Sequence, residues 1–141
     1  MSTRSFTRLT RRYRFSASHR LHAPNLSGEA NRELYGKCNN PFGHGHNYFA
    51  EISVTGTVPE DSGLLVSVPA LDALVERAVL RDLDHCDLNH ALPNLVPTSE
   101  NVAAEIERRL SAAWPREFPK LAGVRLWETK RNRFELRNEE Q

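Results

Sequence analysis

Cysteine is scarce in this 141-residue chain. Its two residues, Cys38 and Cys86, allow at most one disulfide, so a cross-linked scaffold is excluded. Long apolar runs are lacking as well: no stretch approaches the roughly 20 residues of a membrane-spanning helix, and no membrane partner is expected. The basic opening MSTRSFTRLTRR has no apolar core and is not expected to act as a secretory signal. Free thiols in a reducing, cytoplasmic setting follow as the expected state of both cysteines. A dominant charge is missing too. Nineteen Lys and Arg against 18 Asp and Glu leave a formal charge of +1, which argues against a general nucleic-acid binder. No linker, repeat or low-complexity tract divides the chain, and its length suits one domain over residues 1–141.

Histidine is what the chain has instead. Six are present, and four lie close to another chemically capable residue: His44 and His46 after Cys38, His85 beside Asp84, and His90 shortly beyond. Their placement follows from periodicity. Tyr13, Phe15, Ala17, His19 and Leu21 alternate with Arg14, Ser16, Ser18 and Arg20, which predicts a half-buried strand with His19 on its apolar side. Residues 22–43 form a long connection with a short helical piece around Gly28 to Leu34, a length usually functional or disordered. From His44 the period of two resumes, with His44, His46, Tyr48, Ala50, Ile52 and Val54 on one face.

The period then changes. Ser67 suits an N-cap, followed by Leu71, Leu74, Ala78 and Leu83 at helical spacing. A polar break over 84–97 precedes a second helix capped by Thr98 or Ser99, with Glu100 in its first turn and Pro115 as its stop. Val124, Leu126 and Glu128 share a face of a third strand, and Phe134 to Leu136 suggest a fourth. The predicted class is α+β: a four-stranded antiparallel sheet in ββααββ order with two helices on one face. Open sheet edges in such a layout predict association through strands.

Three histidines on apolar strand faces make a ligand set geometrically feasible. Zinc accepts neutral imidazole, and three protein ligands with an open fourth position is the catalytic arrangement. Each histidine could instead be a satisfied core or surface residue. Cys38, six residues before His44 across the Asn39-Asn40-Pro41 turn, fits a thiolate base, a fourth ligand closing a structural site, or a small buried hydrophobe. Asp84-His85 fits a proton relay or a helix C-terminus favoured by the dipole. Adjacent residues do not readily bond each other, so a third group is the expected partner. Glu128 could accept two adjacent N–H donors of an aminopyrimidine edge, or an Arg. Arg12, Arg14, Lys130, Arg131 and Arg133 surround the strand ends, mostly solvated, with a few able to meet phosphate.

Together, FSASHRL (15–21), GKCNNPFGHGHNY (36–48), LDH (83–85), PTSENVA (97–103) and WET (127–129) resemble the 6-pyruvoyl tetrahydropterin synthase family, from about Arg14 to Glu135. The resemblance implies a T-fold, in which sheets of neighbouring subunits join into a barrel and two trimers form a homohexamer with active sites at subunit interfaces. It implies a zinc-dependent lyase of tetrahydrobiopterin biosynthesis that converts 7,8-dihydroneopterin triphosphate to 6-pyruvoyl tetrahydropterin with elimination of triphosphate. By position, His19, His44 and His46 would hold Zn2+, and Cys38 would be the proton-abstracting thiolate. Asp84 and His85 would complete the relay from a neighbouring subunit. Glu128 would anchor the pterin, with Thr98, Ser99 and Glu100 lining its pocket.

A sister activity, 6-carboxytetrahydropterin synthase of queuosine biosynthesis, takes the same substrate and releases acetaldehyde; the Cys38-to-His44 step looks more like the pyruvoyl enzyme. A non-catalytic, zinc-stabilised pterin-binding oligomer is the reading from another class. Cys86, Lys130 and Ser67 depart from the residues usual at those positions, which touches substrate detail more than the ligand set.

Overall fold

The computed structural model describes residues 5–137. Its centre is a pair of long strands, β1 (Phe6–His19) and β2 (His44–Thr57). They pair antiparallel over their whole length, from Phe6 opposite Thr57 to His19 opposite His44. β1 begins seven residues before the predicted start at Tyr13. The stretch FTRLTRR is too polar to show a period of two, and its pairing with the apolar half of β2 is what makes it a strand.

Three further strands, β3 (Cys86–Asp87), β4 (Lys120–Trp127) and β5 (Arg133–Arg137), complete a sheet of order β3-β1-β2-β4-β5. The expected four-stranded antiparallel sheet is therefore corrected to a five-stranded mixed one. The added strand is two residues long and runs parallel to β1 at Ala17 and Ser18. A segment so short carries no periodic signal, so only its pairing reveals it. The other pairings are antiparallel, with an irregularity at Ser53/Val54 where β2 meets β4.

Helix α1 (Gly28–Tyr35) is capped by the Ser27 hydroxyl and runs into a single 3-10 turn, Gly36–Asn39. Helix α2 (Val68–Val75) is capped by Ser67, as its sequence predicts, and continues through a π-type turn, Glu76–Leu80, into α3 (Arg81–Leu83). The wide turn shifts the helical phase by one residue, so Val79 rather than Ala78 enters the core. Helix α4 (Leu88–Ala91) interrupts the loop expected over 84–97, and α5 (Ser99–Ala113) is capped by Thr98.

One face of the sheet holds the core. Phe15 and Ala17 of β1, Tyr48, Ala50 and Ile52 of β2, and Val124 and Leu126 of β4 pack against Leu71 and Val75 of α2 and Val102, Ala103, Ile106 and Leu110 of α5. Both main helices thus lie on one side. Phe15 and Tyr48, directly opposed across the strands, stack at 4.9 Å. At the far end of the same face, Asp72 of α2 receives Arg11 Nε and Nη2, each at 2.8 Å, and Tyr13 Oη at 2.6 Å. This triple contact docks the middle of α2 onto β1.

The Arg11 and Tyr13 donors hold the Asp72 carboxyl below its ordinary value of 3.8. A depressed folded-state value means stability present above that pH and lost as pH falls through the folded value. Asp72→Asn should lower Tm by a few degrees near neutral pH, with the gap to wild type closing below about pH 3.8. Thermal melts across this range check it; a pH-independent gap would remove the ionic contact from the account.

Candidate active site

The register of β1 and β2 assembles the site. His19 stands opposite His44, and Ala17 opposite His46, so the three imidazoles rise from one sheet face at adjacent rungs. Their ring nitrogens lie within 4.8 Å of one another, a set that can hold a metal ion. His19 Nε2 and His46 Nε2 are 3.2 Å apart. Two ligands at ~2.05 Å on a tetrahedral ion would be separated by about 3.3 Å, so this spacing fits.

The protonation pattern fits as well. The Pro97 carbonyl can only accept, so His19 donates its Nδ1–H to it at 2.9 Å and presents Nε2 as a lone pair. Burial pushes His19 and His46 toward the neutral form, with Glu128 opposing. Tyr48, fully buried beneath them, brings its hydroxyl to 3.3 Å from His19 Nδ1 and braces the ring from below.

Cys38 approaches from the loop. Its Sγ lies 3.7 Å from His44 Nε2, yet the converging set closes on the three histidines without it. Burial, followed by the negative charge of Glu128, pushes the Cys38 thiol above its ordinary value. The segment carrying it is held by two buried asparagines. Asn39 donates to the Leu21 carbonyl at 2.6 Å and to His22 Nδ1 at 3.1 Å. Asn31 accepts from Ala23 N at 2.7 Å and donates to backbone carbonyls of the same loop. Leu21 N bonds the Cys38 carbonyl itself at 2.6 Å. The long 22–43 connection is thus ordered around Cys38.

Glu128, just past β4, closes the other side. Its Oε1 lies 3.8 Å from His46 Nε2, and its Oε2 accepts a short bond from Ser99 Oγ. Among the described residues no arginine pairs with Glu128; Arg125 instead meets Glu51 and Glu135. Ser99 is buried, Thr98 spends its hydroxyl on capping α5, and Glu100 is exposed in the first turn of that helix.

Asp84 and His85 lie elsewhere within the chain. Asp84 Oδ1 accepts from Ser16 N at 2.9 Å, and His85 N donates to Ser16 O at 2.6 Å. The carboxylate's hydrogen-bond donor is a third group, Ser16 N, while the adjacent His85 Nδ1 stands 3.1 Å from Asp84 Oδ2, within ion-pair distance when the ring is protonated. His85 adopts a φ of 60°, a left-handed conformation that costs about 1–2 kcal/mol and turns the ring back over its neighbour. The His85 ring is exposed beside Ser16, Ser18 and Asn47. Among the described residues, no contact joins this pair to Cys38 or the three histidines. Sequence reading missed the bracing groups Pro97, Tyr48, His22, Asn31 and Asn39. The strand period places Tyr48 on the histidine face, and the Asn-Asn-Pro turn contains Asn39, but neither pattern marks a bracing role.

The model of the 6-pyruvoyl tetrahydropterin synthase family matches residues 8–139. A 6-pyruvoyl tetrahydrobiopterin synthase of Poecilia reticulata is 40% identical over 134 residues, 93% of this chain and 90% of that protein. The Homo sapiens protein of the same name is 40% identical over 127 residues, 88% and 86% of the two chains. The solved structure of Caenorhabditis elegans 6-pyruvoyl tetrahydropterin synthase superposes with a TM-score of 0.89 at 32% identity, covering 99% of this chain and all of that one. No helix among the described residues is long and apolar enough to cross a membrane. On the family match and on these relatives, the chain belongs to the 6-pyruvoyl tetrahydropterin synthase family.

Proposed function

We propose that this protein is a zinc-dependent carbon–oxygen lyase converting 7,8-dihydroneopterin triphosphate to 6-pyruvoyl tetrahydropterin with elimination of triphosphate. The observation that carries this is the convergence of three buried-face imidazoles, with a thiol 3.7 Å from one and a carboxylate 3.8 Å from another. His19, His44 and His46 would hold the zinc, which as a Lewis acid lowers the pKa of side-chain hydroxyls of the substrate. Glu128, oriented by Ser99 Oγ, receives adjacent N–H donors of the pterin, with Thr98 and Glu100 at the edge of that pocket. Cys38 removes and returns protons on the substrate side chain.

A second acid/base group is needed, and Asp84 with His85 is the one the family resemblance names. In a single chain the His85 ring is in solvent, and among the described residues no contact joins the pair to Cys38. This favours a homohexamer of two trimers whose active sites lie at subunit interfaces, one subunit lending Asp84 and His85 to its neighbour's Cys38. Two free thiols suit the cytoplasm. Mass analysis of the product from purified protein and dihydroneopterin triphosphate tests the proposal. A pyruvoyl side chain supports it, a carboxylate with acetaldehyde moves it to the sister activity, and no turnover overturns it.

Cys38→Ala should lower kcat by about 10²–10⁴ while metal content and oligomer size persist. Loss of metal together with folding would instead make Cys38 a structural ligand. Glu128→Gln keeps the shape of the side chain and removes its charge; kcat/KM should fall at least about tenfold with metal content unchanged. Removing the metal should slow alkylation of Cys38 near neutral pH in a Cys86→Ala background, because a cation beside His44 is what offsets the burial that raises the thiol. Equal alkylation rates with and without metal would separate the thiol from the ion.

A further inference from the structure

We infer that the open cavity beside Cys38 and His44 receives the triphosphate tail of the substrate, with Lys37 and Arg32 as its charge partners. This rests on the lyase reading above. The site has a direction: Glu128 lies against His46, and Cys38 lies against His44. A substrate whose ring meets Glu128 and whose side chain crosses the histidines therefore sends its tail past Cys38. The cavity there is about 620 Å³ and is lined by Arg32, Lys37, Cys38, Asn40, Pro41 and His44, among others, with no carboxylate in its walls.

The two cations are also uncommitted. Arg11, Arg108, Arg109, Arg125 and Arg137 all meet carboxylates. Among the described residues, neither the Lys37 nor the Arg32 side chain makes a hydrogen bond or ion pair. The backbone of Lys37 is kept beside the thiol, because the 3-10 turn Gly36–Asn39 that holds both is clamped by the bond from Leu21 N to Cys38 O. A second cavity of about 540 Å³, which His19, Arg20 and Gly43 help to line, fits a polyphosphate less well. Asp87 lies in its wall, and its one arginine, Arg20, already donates Nε to the Asn39 carbonyl.

The chemistry asks for such a subsite. In the elimination, the C–O bond to the triphosphate breaks and its electron pair departs with the leaving group. The proton lost from the adjacent carbon leaves behind the pair that forms the new double bond. Fixed cations at the tail stabilise the charge that collects there.

The probe is inorganic tripolyphosphate, titrated against the zinc-loaded enzyme with zinc content checked at each point. Lys37→Gln should weaken its binding about tenfold, with a further loss in the Lys37→Gln/Arg32→Gln double variant. Arg116→Gln, an exposed cation elsewhere, should leave it unchanged. KM for the triphosphate substrate should rise in parallel, while affinity for dihydroneopterin, which lacks the tail, stays at the wild-type value. Tripolyphosphate binding in the double variant equal to wild type would overturn the assignment, and so would an equal loss of dihydroneopterin affinity. If the wild-type protein binds tripolyphosphate through Lys37 yet releases none from dihydroneopterin triphosphate, the lyase reading fails and the subsite stands.

Discussion

Everything at the site depends on the register of β1 against β2. His19 faces His44 across one rung, and the next inward rung carries Ala17 and His46. A slip of one residue would turn His44 and His46 to the opposite face and leave His19 alone in the core. Two devices fix the register. Phe15 and Tyr48 stack across the strands within the core. Gly43 ends the turn before β2 at φ 71°, where a Cβ would stand 3.0 Å from the His19 carbonyl oxygen. The left-handed backbone and the close approach to His19 both favour glycine at position 43.

From that register the rest of the site follows by short reaches. The 3-10 turn after α1 delivers Cys38 to His44, and the end of β4 delivers Glu128 to His46. The loop between the strands would be free to wander over its length. Asn31 and Asn39 prevent this by donating side-chain amide protons to backbone carbonyls, replacing the ladder bonds an ordered loop lacks. The thiol is thus placed by polar groups and the imidazoles by apolar packing.

This division explains what could be read from the sequence. Parity along paired strands is a long-range consequence of a local pattern, so His19, His44, His46 and Glu128 were legible as sharing a face, and the Ser67 and Thr98 caps as helix starts. β3 was not legible, because two residues have no period. The close approach of the His85 ring to Asp84 was not legible either, since it comes with a left-handed backbone at His85 that residue spacing does not show. Pro97, Asn31 and Asn39 act through backbone carbonyls or on them, and such partners leave no mark on residue spacing.

The charges are arranged so that the thiol answers to both ends of the site. Burial holds His19 and His46 neutral, which makes them ligands rather than cations. The same burial raises Cys38, and Glu128 raises it further, so without a positive neighbour the sulfur keeps its proton. Glu128 sits against His46 rather than against His44, the imidazole that Cys38 meets. A cation bound by the three histidines would lie between the carboxylate and the sulfur and would screen one from the other. On the proposed mechanism, proton abstraction would then be confined to the loaded site. The half-buried carboxylate and the half-buried thiol, mutually unfavourable as a pair, would become compatible through a cation held by the three histidines.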